Sequence, residues 1–283
     1  MPELPEVETI RKDLESRILN KEILAVKVSD KKVADNDIKN IVGCFFMSIN
    51  RIGKLLYLET SDNRFLLVHL KMTGQLLFKS YDKDIVVGGH EDIAMDTLKL
   101  PNKHTRVIIK LKKTGNLYFN DLRRFGYVKI VNSNELEIIK ARFGIEPLKK
   151  EFKVDNLVNI FKNRKANVKS LLLNQNLIAG IGNIYADEIL FRAGVRPFRE
   201  GGDLSLKEIK NIHRDANYII KKAIKNRGTT FSDYRDADGE KGNFSNMLKV
   251  FGRQGQECYK CGNKIIKIKL GGRGTHYCSE CQG

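Results

Sequence analysis

Four of the five cysteines fall in the last 26 residues, as Cys258-x2-Cys261, a gap of 16 residues and Cys278-x2-Cys281. No other feature limits the fold as tightly. Each pair places two thiolates on one tight turn, and two such turns complete a tetrahedral site of four sulfurs. Four protein ligands leave no open coordination position, so one structural Zn2+ is expected at Cys258, Cys261, Cys278 and Cys281. A module this short cannot bury enough apolar surface to fold unaided, so metal binding supplies its folding energy. Two redox or disulfide pairs are the less favoured alternative. Cys44, in the apolar run Cys44-Phe45-Phe46-Met47, reads as a core residue. This cysteine usage fits a reducing cytosol.

Upstream of the module, the pattern changes once. Val7, Ile10, Leu14 and Ile18 follow a helical spacing, with Pro5 at N1 and acids in the first turn. Short β-branched or aromatic segments come next, at 54–60, 65–70, 105–111, 117–119 and 126–131, with a hairpin turn expected at 113–116. The first stretch therefore reads as a β-sandwich with an N-terminal helix. The segment 79–103 is long, irregular and locally acidic, and reads as a surface loop or insertion outside any binding cleft. A polar link at 131–134 ends this region. Helices are expected over 155–162, 168–175, 184–193 and 205–226, the last opened by a Ser205/Glu208 capping box. Residues 228–245 return to loop. The fold class is α+β and multidomain, divided at 1–132, 133–245 and 246–283.

The chain carries 51 Lys and Arg against 34 Asp and Glu, a formal charge of +17 over 283 residues. Such an excess favours a polyanionic partner, most often nucleic acid, with salt-sensitive binding. No apolar run is long enough for a membrane span, and no signal-peptide pattern opens the chain. Ser/His/Asp order, P-loop and HExxH motifs are absent, and Gly180-Ile181-Gly182-Asn183 lacks the third glycine of a dinucleotide site, so no nucleotide cofactor is expected.

Several short motifs admit two readings each. Met1-Pro2-Glu3 gives a secondary amine beside a carboxylate once Met1 is removed. That amine has a near-neutral pKa and is a candidate for iminium chemistry. The helix-cap reading accounts for Pro5 and Glu6 but not for Pro2-Glu3. The Gly180–Asn183 turn before a helix suits a phosphate, with Lys165 and Lys169 just upstream, or is a plain helical bend. Asp121-Leu122-Arg123-Arg124-Phe125-Gly126 places an aromatic beside two cations, as base-stack insertion requires, or is a core Phe with surface Arg. His69–Gly74 ends a strand at a turn, and His69 alone suits a structural histidine equally. Arg273, between glycines in the cysteine loop, reaches a phosphate or lies in a solvated turn.

Taken in order, Met1–Glu8, His69–Gly74, Asp121–Gly126, Gly180–Tyr185, Gly228–Thr230, the Asp238-Gly239…Gly242 loop and the four cysteines resemble the bacterial formamidopyrimidine-DNA glycosylase family over essentially the whole chain. The resemblance implies a β-sandwich, a helix-two-turn-helix domain and a β-hairpin zinc finger. It also implies a base-excision repair enzyme, both glycosylase and AP lyase, that flips an oxidised purine out of duplex DNA. Its roles map onto Pro2 as Schiff-base nucleophile, Glu3 as proton donor, Glu6 behind them, and Lys54 and Arg273 as phosphate contacts and proton donors in elimination. His69, Met72, Arg123, Phe125, Lys165 and Asn183 map onto DNA contacts. Met72, Arg123 and Phe125 would fill the vacated stack, and Thr229 and Thr230 begin the loop over the lesion. The implied partner is double-stranded DNA with the lesion opposite C, bound by a monomer in the bacterial cytoplasm. Two alternatives are the endonuclease VIII branch, which favours oxidised pyrimidines and typically has Gly in place of Leu4, and a non-catalytic zinc-finger DNA-binding protein. Thr73 departs from relatives that carry a larger polar residue there, which leaves fine substrate preference open.

Overall fold

The computed structural model of the protein describes residues 1–81, 86–87 (backbone only), 100–229 and 243–283. It divides into two compact units, Met1–Ala141 with Arg227–Asn243, and Arg142–Asn226 with Phe244–Gly283. No helix among the described residues is long and apolar enough to cross a membrane.

The first unit begins with helix α1 (Leu4–Ile18), whose Val7, Ile10, Leu14 and Ile18 are fully buried. Pro5 is the second helical residue, because Glu3 takes the N-cap position and Leu4 starts the helix. Nine strands among the described residues follow in two antiparallel sheets. The larger runs in the order β1 (Ile23–Val28), β7 (Thr105–Leu111), β8 (Gly115–Asp121), β5 (Gly74–Ser80), β6 (Val86–Val87). The smaller runs β2 (Phe46–Ile52), β3 (Leu55–Thr60), β4 (Phe65–His69), β9 (Tyr127–Val131). Leu56, Leu58, Leu66 and Val68 from the smaller sheet share one core with Leu76, Phe78, Val107, Ile109 and Phe119 from the larger, and α1 adds its buried stripe. Period-two alternation on each inner face is what makes a sandwich of these segments.

Several boundaries differ from the sequence reading. β1, β2 and β5 are strands that the pattern did not mark. The β7–β8 turn covers 112–114, since β8 already starts at Gly115. The run at Cys44 is not uniformly core: Phe46 is fully buried, Phe45 and Met47 are exposed, and Cys44 is half-buried against the core. A strand edge shows alternate residues to solvent, and that overrides bulk hydrophobicity. In place of the link at 131–134 stands helix α2 (Ser133–Lys140), opened by a reciprocal Asn132/Glu135 cap. Of 79–103, Val86–Val87 pairs with β5; residues 82–85 and 88–99 lie outside the described residues, as do 230–242.

The second unit holds helices α3 (Val154–Phe161), α4 (Val168–Leu173), α5 (Asn183–Ala193) and α6 (Leu206–Lys225), followed by the hairpin β10 (Ile266–Leu270) and β11 (Arg273–Tyr277). Ser205 and Glu208 cap α6 reciprocally, and Ile209, Ile212, Ala216, Ile219 and Ala223 form its buried stripe. A satellite core of Phe191, Val250, Cys258, Ile265 and Cys278 lies under the hairpin.

Candidate DNA-repair site and metal centre

In the first unit, register brings the implicated residues to one end of the sandwich. Ile52 pairs with Leu55 across the two-residue turn Gly53-Lys54. Gly53 has φ +55°, which the first central position of such a hairpin turn requires and which only glycine adopts without strain. Arg51 fastens this turn to α1, with Nη1 donating to the Gly53 carbonyl at 2.9 Å and Nε 3.0 Å from a Glu8 carboxylate oxygen. Leu55 pairs with His69, and His69 pairs with Tyr127. Lys54, His69, the Met72 turn and the Arg123–Phe125 loop therefore share one edge. Met1 lies there as well. With Met72, Phe125 and Tyr127 it lines a cleft of about 550 Å³ that Lys32, Lys71, Arg124 and Lys129 also line. Arg124 belongs to the Asp121–Gly126 motif, whereas Lys32 and Lys129 had no motif to reveal them.

Pro2, Glu3 and Lys54 are buried, whereas Met72, Arg123 and Phe125 are exposed. The Arg123 guanidinium lies 4.7 Å from the Phe125 ring centroid, a cation–π contact. Glu6, also buried, joins two pieces of chain. Its Oε2 accepts from the Glu3 N–H at 2.9 Å, and its Oε1 accepts from the Thr229 N–H at 2.8 Å and from the Thr229 hydroxyl at 3.1 Å. Gly228 makes this approach possible: its φ is +81°, and a Cβ there would come within 2.5 Å of Glu6 Oε1. Thr230 lies outside the described residues.

His69 is held neutral. Burial, with the charges of Lys71 and Lys54 adding to it, pushes its pKa down to about 3, and Nδ1 accepts from the Lys71 N–H at 3.0 Å. An unfolded imidazole titrates near ~6.5. Between these values the unfolded chain takes up a proton that the folded one does not, so stability is lost as pH falls from about 6.5 toward 3. In urea melts, the wild type should lose about 2–3 kcal/mol more than His69→Gln between pH 7 and pH 4.5. Parallel pH dependences would refute the assignment.

In the second unit the four cysteine sulfurs lie within 4.8 Å of one another. Cys258 Sγ is 3.8 Å from Cys281 Sγ, and Cys261 Sγ is 3.4 Å from Cys278 Sγ. A zinc tetrahedron with ~2.3 Å Zn–S bonds has edges of about 3.8 Å, so the donor set fits one structural zinc. Sulfur-only ligation by four protein groups supplies folding energy and no catalytic coordination site.

Polar residues brace this metal hairpin, and among them Lys169, which the sequence reading placed with Lys165 as positive charge for a phosphate, is instead neutralised in the interior by Asp187. Lys169 is buried, with Nζ 2.6 Å from Asp187 Oδ1, and donates to Thr275 Oγ1 at 2.8 Å and to the Gly274 carbonyl at 3.1 Å. Asp187 Oδ2 in turn accepts from the His276 N–H at 2.8 Å. Glu188 accepts from the N–H groups of Lys249, Val250 and Phe251, each at 2.9 Å, and so fixes the strand of chain leading into the module. Burial raises the Glu188 pKa despite these three donors. Asp187-Glu188 inside the otherwise apolar Tyr185–Phe191 stretch was the available signal, because two acids on a buried helix need partners.

Lys165, in contrast, is exposed at the turn between α3 and α4. Asn183 heads α5, where Gln175 braces the preceding turn by accepting from the Gly180 N–H at 2.8 Å and donating to the Ile181 carbonyl at 2.9 Å. The Asn183 amide donates to the Gly274 carbonyl at 3.0 Å, which sets it beside the exposed Arg273.

Family models match three stretches: the formamidopyrimidine-DNA glycosylase N-terminal domain at residues 1–128, the formamidopyrimidine-DNA glycosylase H2TH domain at 143–235, and a zinc finger found in FPG and IleRS at 255–283. A formamidopyrimidine-DNA glycosylase of Syntrophomonas wolfei is 38% identical over 290 residues, covering 100% of both chains. One from Prochlorococcus marinus strain MIT 9301 is 39% identical over 308 residues, with the same coverage. Among solved structures, Lactococcus lactis Fpg with DNA containing N7-benzyl-Fapy-dG superposes with a TM-score of 0.86 at 31% identity, covering 99% of each chain. The same protein with DNA containing an oxidised pyrimidine gives 0.85 at 32%, again covering 99% of each. With sandwich, helical region and four-sulfur hairpin all matched along its full length, the chain belongs to the formamidopyrimidine-DNA glycosylase family.

Proposed function

We propose that this protein is a base-excision repair enzyme, a DNA glycosylase and AP lyase that removes oxidised purines from duplex DNA. One observation carries the reading beyond family membership: the buried Pro2-Glu3 turn and Lys54 lie on the same unit as the exposed Met72, Arg123 and Phe125, at one end of its sandwich. With Met1 removed, the Pro2 nitrogen lone pair attacks C1′ of the lesion nucleotide. The C1′–N9 bond breaks, and the base leaves with a proton. Glu3 protonates the ring oxygen as the C1′–O4′ bond opens, which leaves an iminium on Pro2. The iminium acidifies C2′, whose proton departs as the 3′ C–O bond breaks. A second elimination breaks the 5′ C–O bond, and water then releases Pro2. Lys54 and Arg273 supply charge and protons at the phosphates. Met72, Arg123 and Phe125 occupy the gap left by the flipped nucleotide, with Arg123 facing the orphaned cytosine. The protein acts as a monomer on DNA in the bacterial cytoplasm, with three domains at 1–132, 133–245 and 246–283.

A second reading has its own support, since L. lactis Fpg has been solved with an oxidised pyrimidine. Zinc-loaded enzyme, verified by mass to lack Met1, should cut a duplex with 8-oxoguanine opposite C and give a covalent adduct with borohydride. A duplex with thymine glycol should react more slowly. The reverse order would favour the pyrimidine reading, and neither cutting nor adduct would leave only DNA binding.

A further inference from the structure

Met72 and the Arg123–Phe125 tip stand on different loops, and each loop contains a non-glycine residue in the left-handed region, Lys71 at φ +50° and Arg124 at φ +59°. L-residues adopt that conformation only where the surroundings dictate it. Lys71 is held by its N–H bond to His69 and Arg124 by its ion pair with Asp30, and one buried pair links the two loops. Asp121 is fully buried and Thr73 is 8% exposed. The Thr73 hydroxyl donates to Asp121 Oδ1 and accepts from the Arg123 N–H at 3.0 Å. Asp121 Oδ1 also accepts from the Arg123 N–H, at 3.1 Å, and Oδ2 accepts from the Gly126 N–H at 2.7 Å. The carboxylate therefore bonds both ends of the 123–126 loop. The hydroxyl of the residue next to Met72 closes the link to the other loop. Arg106 holds the Asp121 carbonyl at 3.0 Å, and Asp121 pairs with Gly74 across β8 and β5, so the clamp is rooted in the sheet.

We infer that Asp121 and Thr73 are positioning residues that hold Met72, Arg123 and Phe125 in stack-filling geometry before DNA binds. The inference rests on the functional reading above. Neither side chain touches a reacting atom; the effect is on where the trio points. A hydroxyl at 73 is what the clamp needs. A carboxylate-bearing side chain at that position would set a second anion against Asp121, so the small polar residue follows from the clamp.

The test uses the full-length, zinc-loaded enzyme and compares wild type, Thr73→Val and Thr73→Ser. Valine keeps the volume and removes the hydroxyl; serine keeps the hydroxyl. Thr73→Val should lower kcat/KM on 8-oxoguanine duplexes by roughly 10- to 100-fold, as misplaced groups do. It should also shrink the preference for C over A opposite the lesion. Cutting of a single-stranded oligonucleotide with a preformed abasic site, which leaves no stack to fill, should stay within about twofold of wild type. Thr73→Ser should behave as wild type throughout. If Thr73→Val keeps both its duplex rate and its opposite-base preference, the inference falls. It falls also if single-stranded cutting drops in parallel, because a general loss of structure then explains the effect. A wild type inactive on both substrates would instead sink the functional reading. Asp121→Asn gives an independent check: one oxygen must become an N–H2 facing an N–H or hydroxyl donor, so it should show the same duplex-only defect.

Discussion

Adding one residue ahead of Pro2, or retaining Met1, should abolish borohydride trapping and lower strand cutting by at least ~10³-fold while duplex binding changes only a few-fold. The reason is electronic. A free secondary amine has a lone pair and titrates near ~8. An acylated proline nitrogen is a tertiary amide whose lone pair is delocalised, and it cannot form an iminium. The next residue is fixed independently, since the Glu3 N–H donates to Glu6 Oε2 at 2.9 Å. Pro2→Gly keeps an amine of similar basicity but frees its backbone, so an intermediate loss of roughly 10- to 100-fold is expected. Anisotropy with labelled duplex, set beside the trapping yield, separates chemistry from binding. Equal trapping by the extended and native proteins would remove Pro2 from the mechanism.

The second large effect concerns the metal. Cys278→Ala, or removal of zinc with a strong chelator, should unfold the C-terminal module and weaken duplex binding by about 10²-fold or more, as expected when a phosphate-contacting element is lost. Structural zinc contributes on the order of 10–16 kcal/mol to such modules. The apolar alternative is slight: Phe191, Val250 and Ile265 are the carbon-rich members of the satellite core, and two of the cysteines, Cys258 and Cys278, are buried members of it. Hydrogen exchange should therefore rise across 255–283 and stay low in the sandwich strands, whose core draws on both sheets and α1. Uniform exchange across the whole chain, or an unchanged module after metal removal, would contradict this account.

Periodic and covalent signals were the legible ones. The α6 stripe and its Ser205/Glu208 cap stand as the sequence indicates, because capping boxes and 3.6-residue spacing are local. The cysteine spacing likewise encodes its own geometry. What was not legible depends on distant partners. β2 reads Phe-Met-Ser-Ile-Asn-Arg-Ile and became a strand through pairing with β3 rather than by strong alternation. Helix α2 carried a readable Asn132-x-x-Glu135 cap that the polar composition of the link obscured. Lys165 and Lys169 look alike in sequence. Only the fold shows that the first is solvated and the second is buried against Asp187. The clamp on the Arg123 loop is invisible in sequence for the same reason, since Thr73 and Asp121 are 48 residues apart.

The brace of Lys169, Asp187, Thr275 and His276 bears on how such a protein can be rebuilt or exchanged. A finger of this kind occurs in two protein families, which invites treating it as a portable cassette. In this chain two polar residues of the finger, Thr275 and His276, are buried, and their partners are encoded about 90 to 105 positions earlier, on α4 and α5. Grafted onto a foreign scaffold, the hairpin would carry its metal but leave those groups unsatisfied, at ~1–3 kcal/mol each. The exchangeable unit is therefore the hairpin together with a helix pair that supplies a lysine and an aspartate at matching positions. Chimeras cut between 226 and 255 should fail where chimeras that keep 167–283 intact succeed.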